Sequence, residues 1–162
     1  MTRRYFRALK AVGSGWIWPI CPGHVVAPTI SPDPEAGAGT WTDDQLARAI
    51  REGIDHDGRA LFPMMPYGDF RHISDEDVAS IVVYLRSLPP VHNHLSKTEI
   101  GFPVKYLIRS VPEPLTSPVA APDPADCVNY GRYLVKIDGC ADCHTRKIRG
   151  NPSPDSSSPA AG

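Results

Sequence analysis

The residues best suited to chemistry lie close together near the end of the printed sequence: Cys140, Cys143 and His144, in the pattern Cys-x-x-Cys-His. Two thiols three residues apart on a helical turn lie close enough to act together, and the histidine follows directly. Such a group can form two thioether bonds to haem while the imidazole binds iron. It can also act as a redox-active dithiol, or bind zinc.

The surrounding sequence favours the first of these chemistries. A redox-active dithiol normally opens a helix that follows a strand, whereas here a helical pattern precedes the motif. A zinc site that adds Cys127 has a first gap unlike the usual ligand spacing. The pattern therefore predicts covalent attachment of haem c through Cys140 and Cys143, with His144 as an iron ligand. A small zinc-binding module that uses the same cluster is the alternative.

The helix expected to carry this motif covers about residues 124–138. Its apolar side chains share one face: Tyr130, Tyr133, Leu134 and Ile137. An earlier helix is predicted from about Thr42 to Glu52, because Thr42 and Gln45 form a capping-box pattern and Gly53 can end it.

Another helix is predicted from about Asp75 to Leu88, with Ser74 as its N-cap. Its apolar positions form a helical stripe: Val78, Ile81, Val82, Leu85 and Leu88. Pro89-Pro90 then stops the helix. No alternation long enough to build a sheet is present, so the predicted fold is mostly α, with Pro-rich loops.

Composition limits the function further. The chain has 162 residues, with 17 Lys+Arg against 18 Asp+Glu, which argues against nucleic acid as a partner because phosphate binding needs a basic face. No run of 18 apolar residues occurs, so no membrane span is predicted. The basic and apolar start of the chain resembles a signal peptide only loosely, and we do not infer export from it.

Several further segments resemble class I cytochrome c domains, and in particular the multi-haem cytochrome c subunits of membrane-associated bacterial dehydrogenases. Gly131-x-x-Leu134 before Cys-x-x-Cys-His-Thr is similar to the first helix of such a domain. The segments similar to the later part of a domain are Thr40-Trp41-Thr42-Asp43, Ala49-Ile50-Arg51-Glu52-Gly53, Gly58-Arg59, Phe62-Pro63-Met64-Met65-Pro66-Tyr67 and Ser74 to Pro90. The resemblance covers about residues 25–148.

The resemblance implies an electron carrier rather than an enzyme, with cytochrome c-like helices around haem c and its iron. It also implies that Met65, in Met-Pro-Tyr, is the distal sulfur ligand, with Met64 as runner-up. A histidine and methionine pair favours ferrous haem and suits electron transfer. The implied partners are a dehydrogenase subunit and a downstream oxidase or quinone-linked acceptor. Membrane association would be through a partner, and the location would be the periplasm or the outer face of the bacterial inner membrane.

The order of these parts departs from the family pattern. No Cys-x-x-Cys-His precedes the Met65 segment. A motif that ends at His24 would need cysteines at positions 20 and 23, and these positions are occupied by Ile20 and Gly23. The predicted organisation therefore has five segments. Residues 1–24 match nothing, residues 25–90 are similar to the C-terminal half of a cytochrome c domain, and residues 91–125 are a Pro-rich linker. Residues 126–148 are similar to the N-terminal half of such a domain and carry the attachment motif, and residues 149–162 are expected to be a disordered tail.

Two origins fit this order. The favoured origin is a truncated piece of a multi-haem cytochrome. In one alternative, such a fragment never receives its haem. In a circularly permuted arrangement, Gly131 would pack against the Tyr84–Leu85 face and Met65 would bind the haem held by His144. Among the remaining residues, Cys127 is expected to be a free thiol. The histidines outside the motif are expected to be exposed, without partners at ligand spacing: His56, His72, His92 and His94.

Overall fold

The computed structural model describes residues 23–140, 144, 147–148 and 151–152, the last four by their backbone only. Cys21, Cys143 and most of the predicted tail lie outside the described residues. The helices are α1 (Asp43–Glu52), α2 (Tyr67–Phe70), α3 (Asp75–Ser87), α4 (Val104–Leu107) and α5 (Cys127–Ile137), with a 3₁₀ turn at Ile108–Ser110. The strands are β1 (Gly23–His24), β2 (Glu99–Ile100), β3 (Lys147–Ile148) and β4 (Asn151–Pro152). The mostly helical fold is thereby confirmed.

Helix α1 begins and ends where the sequence predicts. The hydroxyl of Thr42 accepts a hydrogen bond from the backbone N–H of Gln45 (3.1 Å), and the side chain of Gln45 accepts one from the N–H of Thr42 (2.8 Å). Gly53 then adopts a left-handed conformation with φ 69° and ends the helix. These local contacts fix the helix that comes before the segment containing Met65.

Helix α3 supplies one wall of a small core. Ser74 caps it by accepting a hydrogen bond from the N–H of Asp77 (3.1 Å), and Val78 and Val82 are buried. Val82 packs with Leu46 of α1 and with Ala38. The predicted apolar stripe is only partly buried, because Ile81 is exposed. With 13 residues α3 is the longest helix described, and none of those described is long and apolar enough to cross a bilayer.

The segment predicted as a Pro-rich linker lies against the rest of the molecule. Strand β2 pairs antiparallel with β1, and the hydroxyl of Thr98 accepts a hydrogen bond from the N–H of Val26 and donates one to its carbonyl, both at 3.0 Å. Further along, the carbonyl of Val119 accepts a hydrogen bond from the N–H of Asp75, at the start of α3 (2.9 Å). Residues 91–125 therefore run along the surface of residues 25–90 in an ordered path.

Candidate haem site

Helix α5 leads directly into the cysteine motif. The carboxylate of Asp126 caps its start by accepting a hydrogen bond from the N–H of Asn129 (3.1 Å). After the helix, Gly139 turns the chain with φ 62°, and both Cys140 and His144 have helical backbone. Cys140 is a free, half-buried thiol, and His144 is exposed. The thiol and the imidazole are thus accessible to a cofactor.

Cys127 is placed away from this group. It is the first residue of α5 and has a free, exposed thiol, as predicted. Because an α-helix rises about 1.5 Å per residue, Cys127 lies about 15 Å from the end of α5, where the chain turns towards Cys140. Zinc ligands share one ion at about 2.3 Å each. The length of α5 thus separates Cys127 from the end of the helix that leads to the motif, which argues against a zinc site that combines them.

Helix α5 is held to the earlier part of the chain by Tyr133. The Tyr133 hydroxyl accepts a hydrogen bond from the backbone N–H of Ser74 (3.0 Å) and donates one to the carboxylate of Asp77. The helix also contacts α2, which follows Met65 in the sequence. The elements that carry the two halves of the predicted site are therefore packed together.

This packing differs from the contact expected for a permuted domain. A Cβ atom added at Gly131 would meet nothing within 4 Å, and Tyr84 is 63% exposed. The expected contact of Gly131 with the Tyr84–Leu85 face is therefore wrong. The physical reason is the hydrogen bonding of Tyr133, which places α5 at the N-terminal end of α3 rather than along its length.

We expect Tyr133→Phe to loosen α5 from the rest of the fold. The substitution leaves the N–H of Ser74 without its acceptor, and Ser74 is fully buried. An unsatisfied buried donor costs about 1–3 kcal/mol, so urea unfolding should show a loss of that size. Tyr130→Phe removes a hydroxyl from the same helix without affecting Ser74 and is the control. Equal effects of the two substitutions would contradict the docking of α5 through Tyr133.

A histidine beside this contact should respond to pH. Burial lowers the pKa of His72, and the positive charges of Lys136 in α5 and of Arg71 lower it further, against the opposing effect of Asp69. The unfolded chain therefore binds this proton more readily, and the stability of the fold should fall as the pH drops below about 6.5. His72→Gln should reduce this dependence. An NMR titration should give His72 a pKa below 6.5 that rises in Lys136→Gln. A pKa unchanged in that variant would contradict the position of α5.

Met65 lies in a tight loop between Pro63 and Tyr67. Its carbonyl accepts a hydrogen bond from the N–H of Tyr67 (2.8 Å), which turns the chain into α2. The Met65 side chain is half-buried and lines a cavity of about 400 Å³, whereas Met64 is 50% exposed and is not among the residues described as lining it. The structure thus distinguishes the two neighbouring methionines, because Met65 is the less exposed of the two and lines an open cavity.

The cavity has an apolar side and a charged side. Its apolar wall comes from the loop around Met65, and its charged wall includes Arg51, Arg71 and Glu113, with an ion pair between the last two. Neither Cys140 nor His144 is among the described lining residues. The structure therefore brings α5 and α2 together, while the cavity beside Met65 is formed, within the described part of the chain, by residues other than Cys140 and His144.

These donors fit haem c in their chemistry. A free thiol and an exposed imidazole are available at Cys140 and His144, and a thioether at Met65 borders a cavity within the 300–1,000 Å³ typical of ligand sites. Histidine nitrogen and methionine sulfur are the axial ligands that cytochromes c use.

Tyr67 fixes the position of the Met65 loop. Its ring is buried against Gly53, its hydroxyl donates a hydrogen bond to the carbonyl of Leu61 (3.5 Å), and burial raises its pKa. Trp41 packs against the core that contains Leu46, and its ring stacks on that of His56 with 4.5 Å between the ring centroids. Tyr67 thus supports the Met65 loop, whereas Trp41 supports the core beside α1.

Comparison with known proteins identifies relatives over most of the chain. A nicotinate dehydrogenase subunit from Pseudomonas putida is 34% identical over 153 residues, which cover 86% of this chain and 12% of the relative. A diheme cytochrome c-type protein from Cereibacter sphaeroides is 30% identical, over 82% of this chain and 50% of the relative. The cytochrome subunit of fructose dehydrogenase from Gluconobacter japonicus is 34% identical, over 76% of this chain and 27% of the relative.

The chain thus spans half or less of the length of these relatives. No family model matches it. Further relatives of similar identity are named as cytochrome c subunits of quinone-dependent alcohol dehydrogenase and of gluconate 2-dehydrogenase.

Proposed function

Since the chain is related over most of its length to the cytochrome c subunits of bacterial dehydrogenases, we propose that it transfers electrons through haem c attached at Cys140 and Cys143. The relatives confirm the predicted resemblance, and with it haem c and its iron as the cofactor of the group. The observation that carries the proposal for this chain is the combination of an intact Cys-x-x-Cys-His motif with a free thiol at Cys140.

The chain's own residues have distinct parts in this proposal. Cys140 and Cys143 would hold the cofactor covalently, and His144 would bind its iron. Haem c supplies one-electron chemistry, with iron alternating between ferrous and ferric states. Helix α5 fixes the motif, because Tyr133 ties it to Ser74 and Asp77.

Met65 is the proposed distal ligand. Support comes from its half-buried thioether beside a cavity and from the greater exposure of Met64. The packing of α5 on α2 brings the element after Met65 near the helix that precedes the motif. Met65 serves either the haem held by His144 or a haem held by another part of a longer cytochrome.

The names of the relatives support a dehydrogenase as the partner. We propose that electrons enter from a dehydrogenase subunit and leave to an oxidase or a quinone-linked acceptor, on the periplasmic side of the bacterial inner membrane. The support is that several relatives are named as cytochrome subunits of fructose, alcohol and gluconate dehydrogenases. The same names support the role that we propose for this chain, which is to carry electrons rather than to convert a substrate.

A haem stain on a denaturing gel tests covalent attachment directly. The full chain is co-expressed in a periplasm with the machinery that matures c-type cytochromes. We expect a stained band at 17.7 kDa that disappears in Cys140→Ser/Cys143→Ser and persists in Cys127→Ser. Soluble chain without stain would overturn the proposal, and zinc found in that chain would favour the zinc-binding module.

The distal ligand needs a spectroscopic test on the haem-loaded chain. Met–Fe bonding gives a weak absorption band near the red edge of the ferric spectrum. We expect this band to be lost in Met65→Ala and kept in Met64→Ala. A band that persists in Met65→Ala would reject Met65 as the ligand of the haem at His144.

A further inference from the structure

A second group of potential ligands lies far in sequence from the cysteine motif. One ring nitrogen of His92, one of His94 and one carboxylate oxygen of Glu35 all lie within 4.8 Å of one another. The two imidazole rings are 4.6 Å apart between their centroids, in an edge-to-face arrangement. The sequence expectation that these histidines are exposed is confirmed, but the expectation that they have no partner is wrong.

The two histidines reach the same side because of their spacing. They are separated by one residue in the non-helical segment after α3, and alternate side chains of an extended chain point to the same face. Glu35 comes from a turn in the loop before α1. The three donors therefore belong to two segments about 60 residues apart, which the fold has to bring together.

Hydrogen bonds hold those two segments in register. The hydroxyl of Ser31 accepts a hydrogen bond from the N–H of Val91 (3.0 Å) and donates one to its carbonyl (3.4 Å). The hydroxyl of Thr29 donates to the carbonyl of Asn93 (3.4 Å). The backbone on both sides of His92 is thus fixed by contacts that involve none of the three donors.

Asp33 connects the two segments at the group itself. Its Oδ1 atom accepts hydrogen bonds from the N–H groups of Glu35 (3.0 Å) and Ala36 (2.7 Å), which fixes the turn that carries Glu35. Its Oδ2 atom lies 3.5 Å from Nδ1 of His92. A carboxylate beside one ring nitrogen is the usual outer partner of a metal-bound histidine, because it orients the ring and leaves the other nitrogen for the ion.

We propose that Glu35, His92 and His94 bind a divalent transition-metal ion of the zinc type, with Asp33 as the residue that orients His92. Two imidazoles and one carboxylate are a ligand set that zinc uses in proteins, with the remaining position open to water. The ion joins the segment after α3 to the loop before α1. This site is separate from the cysteine motif and does not depend on haem.

The experiment is a titration of the full chain with Zn²⁺, followed by calorimetry. Because thiols also bind zinc, it is performed in the Cys140→Ser/Cys143→Ser background. We expect one site that is weakened at least tenfold by His92→Ala, by His94→Ala and by Glu35→Gln. Asp33→Asn, which keeps an oxygen for the turn, should weaken it about tenfold, since the loss of an outer partner typically costs 10–100-fold.

A second cluster in the chain provides the matched control. Asp55, His56 and Asp57 also place donor atoms within 4.8 Å of one another, but the carboxylate of Asp55 already forms an ion pair with Arg59. His56→Ala should leave zinc binding unchanged. Zinc affinity that survives His92→Ala/His94→Ala, or that falls in His56→Ala instead, would overturn the proposal. Circular dichroism of each variant separates loss of the site from loss of the fold.

Discussion

Gly53→Ala is expected to lower the free energy of unfolding by about 2–4 kcal/mol, from a left-handed backbone that disfavours alanine and from overpacking. The new Cβ atom would lie 2.6 Å from two ring carbons of Tyr67. The Tyr67 ring is buried and cannot move away without carrying the chain with it. Urea unfolding followed by circular dichroism measures the change.

Gly58→Ala is the matched control for this prediction. Gly58 also has a positive φ, of 77°, but a Cβ atom there would meet nothing within 4 Å. The alanine at position 58 therefore tests the backbone conformation alone, which costs about 1–2 kcal/mol. Equal losses at the two positions would show that the contact between Gly53 and Tyr67 contributes nothing.

The same substitution should also reach the proposed distal ligand. Tyr67 follows Met65 by two residues and its N–H is bonded to the Met65 carbonyl, so a displaced ring moves the Met65 loop. In the haem-loaded chain, Gly53→Ala should weaken the Met–Fe absorption band, whereas Gly58→Ala should keep it. A full band in Gly53→Ala would show that the loop adapts independently of Tyr67.

Asp55→Ala is expected to cost about 2–4 kcal/mol, because it removes the acceptor of several hydrogen bonds at a buried position. Asp55 is 2% exposed, and its Oδ1 accepts from the N–H groups of Asp57 (3.0 Å) and Arg59 (2.9 Å). Its Oδ2 accepts two further hydrogen bonds from the Arg59 guanidinium, at 2.9 and 2.7 Å. One side chain therefore organises the loop between α1 and the Met65 segment.

Two related substitutions identify the origin of this effect. Asp55→Asn keeps an oxygen for the two N–H groups, so its loss in the free energy of unfolding should be about half of that caused by Asp55→Ala. Asp57→Ala changes a carboxylate whose side chain is 58% exposed, so its effect should stay within about 0.5 kcal/mol. The comparison uses the free energy of unfolding from urea titration. A loss at Asp57 as large as that at Asp55 would reject the proposed role of the buried carboxylate.

The sequence predicts a helix well where the residues that cap its ends lie close to those ends in the sequence. Thr42 with Gln45, Gly53, and Ser74 with Asp77 all act within four residues, and each has its predicted role. Helix α5 is also predicted, although its observed start at Cys127 lies three residues after the predicted one, because Asp126 provides the cap. Caps and periodicity are short-range signals, so one sequence is sufficient to read them.

Long-range contacts leave no such signal. Residues 91–125 show little periodicity, yet they form β2 and α4 and supply the carbonyl of Val119 to α3. The role of Tyr133 depends on a hydroxyl that meets Ser74 from 59 residues away, whereas the sequence pattern marks this tyrosine only as part of an apolar face. The pairing of His92 with Glu35 is of the same kind.

The residues of the candidate site also differ in whether short-range sequence signals can identify them. Cys140, Cys143 and His144 form a contiguous motif whose chemistry follows from spacing alone. Met65 could be singled out only through a family resemblance, because an isolated methionine usually fills a core. Its position beside a cavity emerges from the three-dimensional arrangement of Pro63, Tyr67 and Arg71.

The hydrogen bonds at the start of α3 have a consequence for the order of events on the ribosome. The N–H groups of Ser74 and Asp75 find their acceptors at Tyr133 and Val119, which are synthesised much later. The first half of the protein therefore emerges with the start of α3 still hydrated. Cys140 follows Tyr133 by seven residues, so the attachment cysteines are made just after the last residue that completes this helix start.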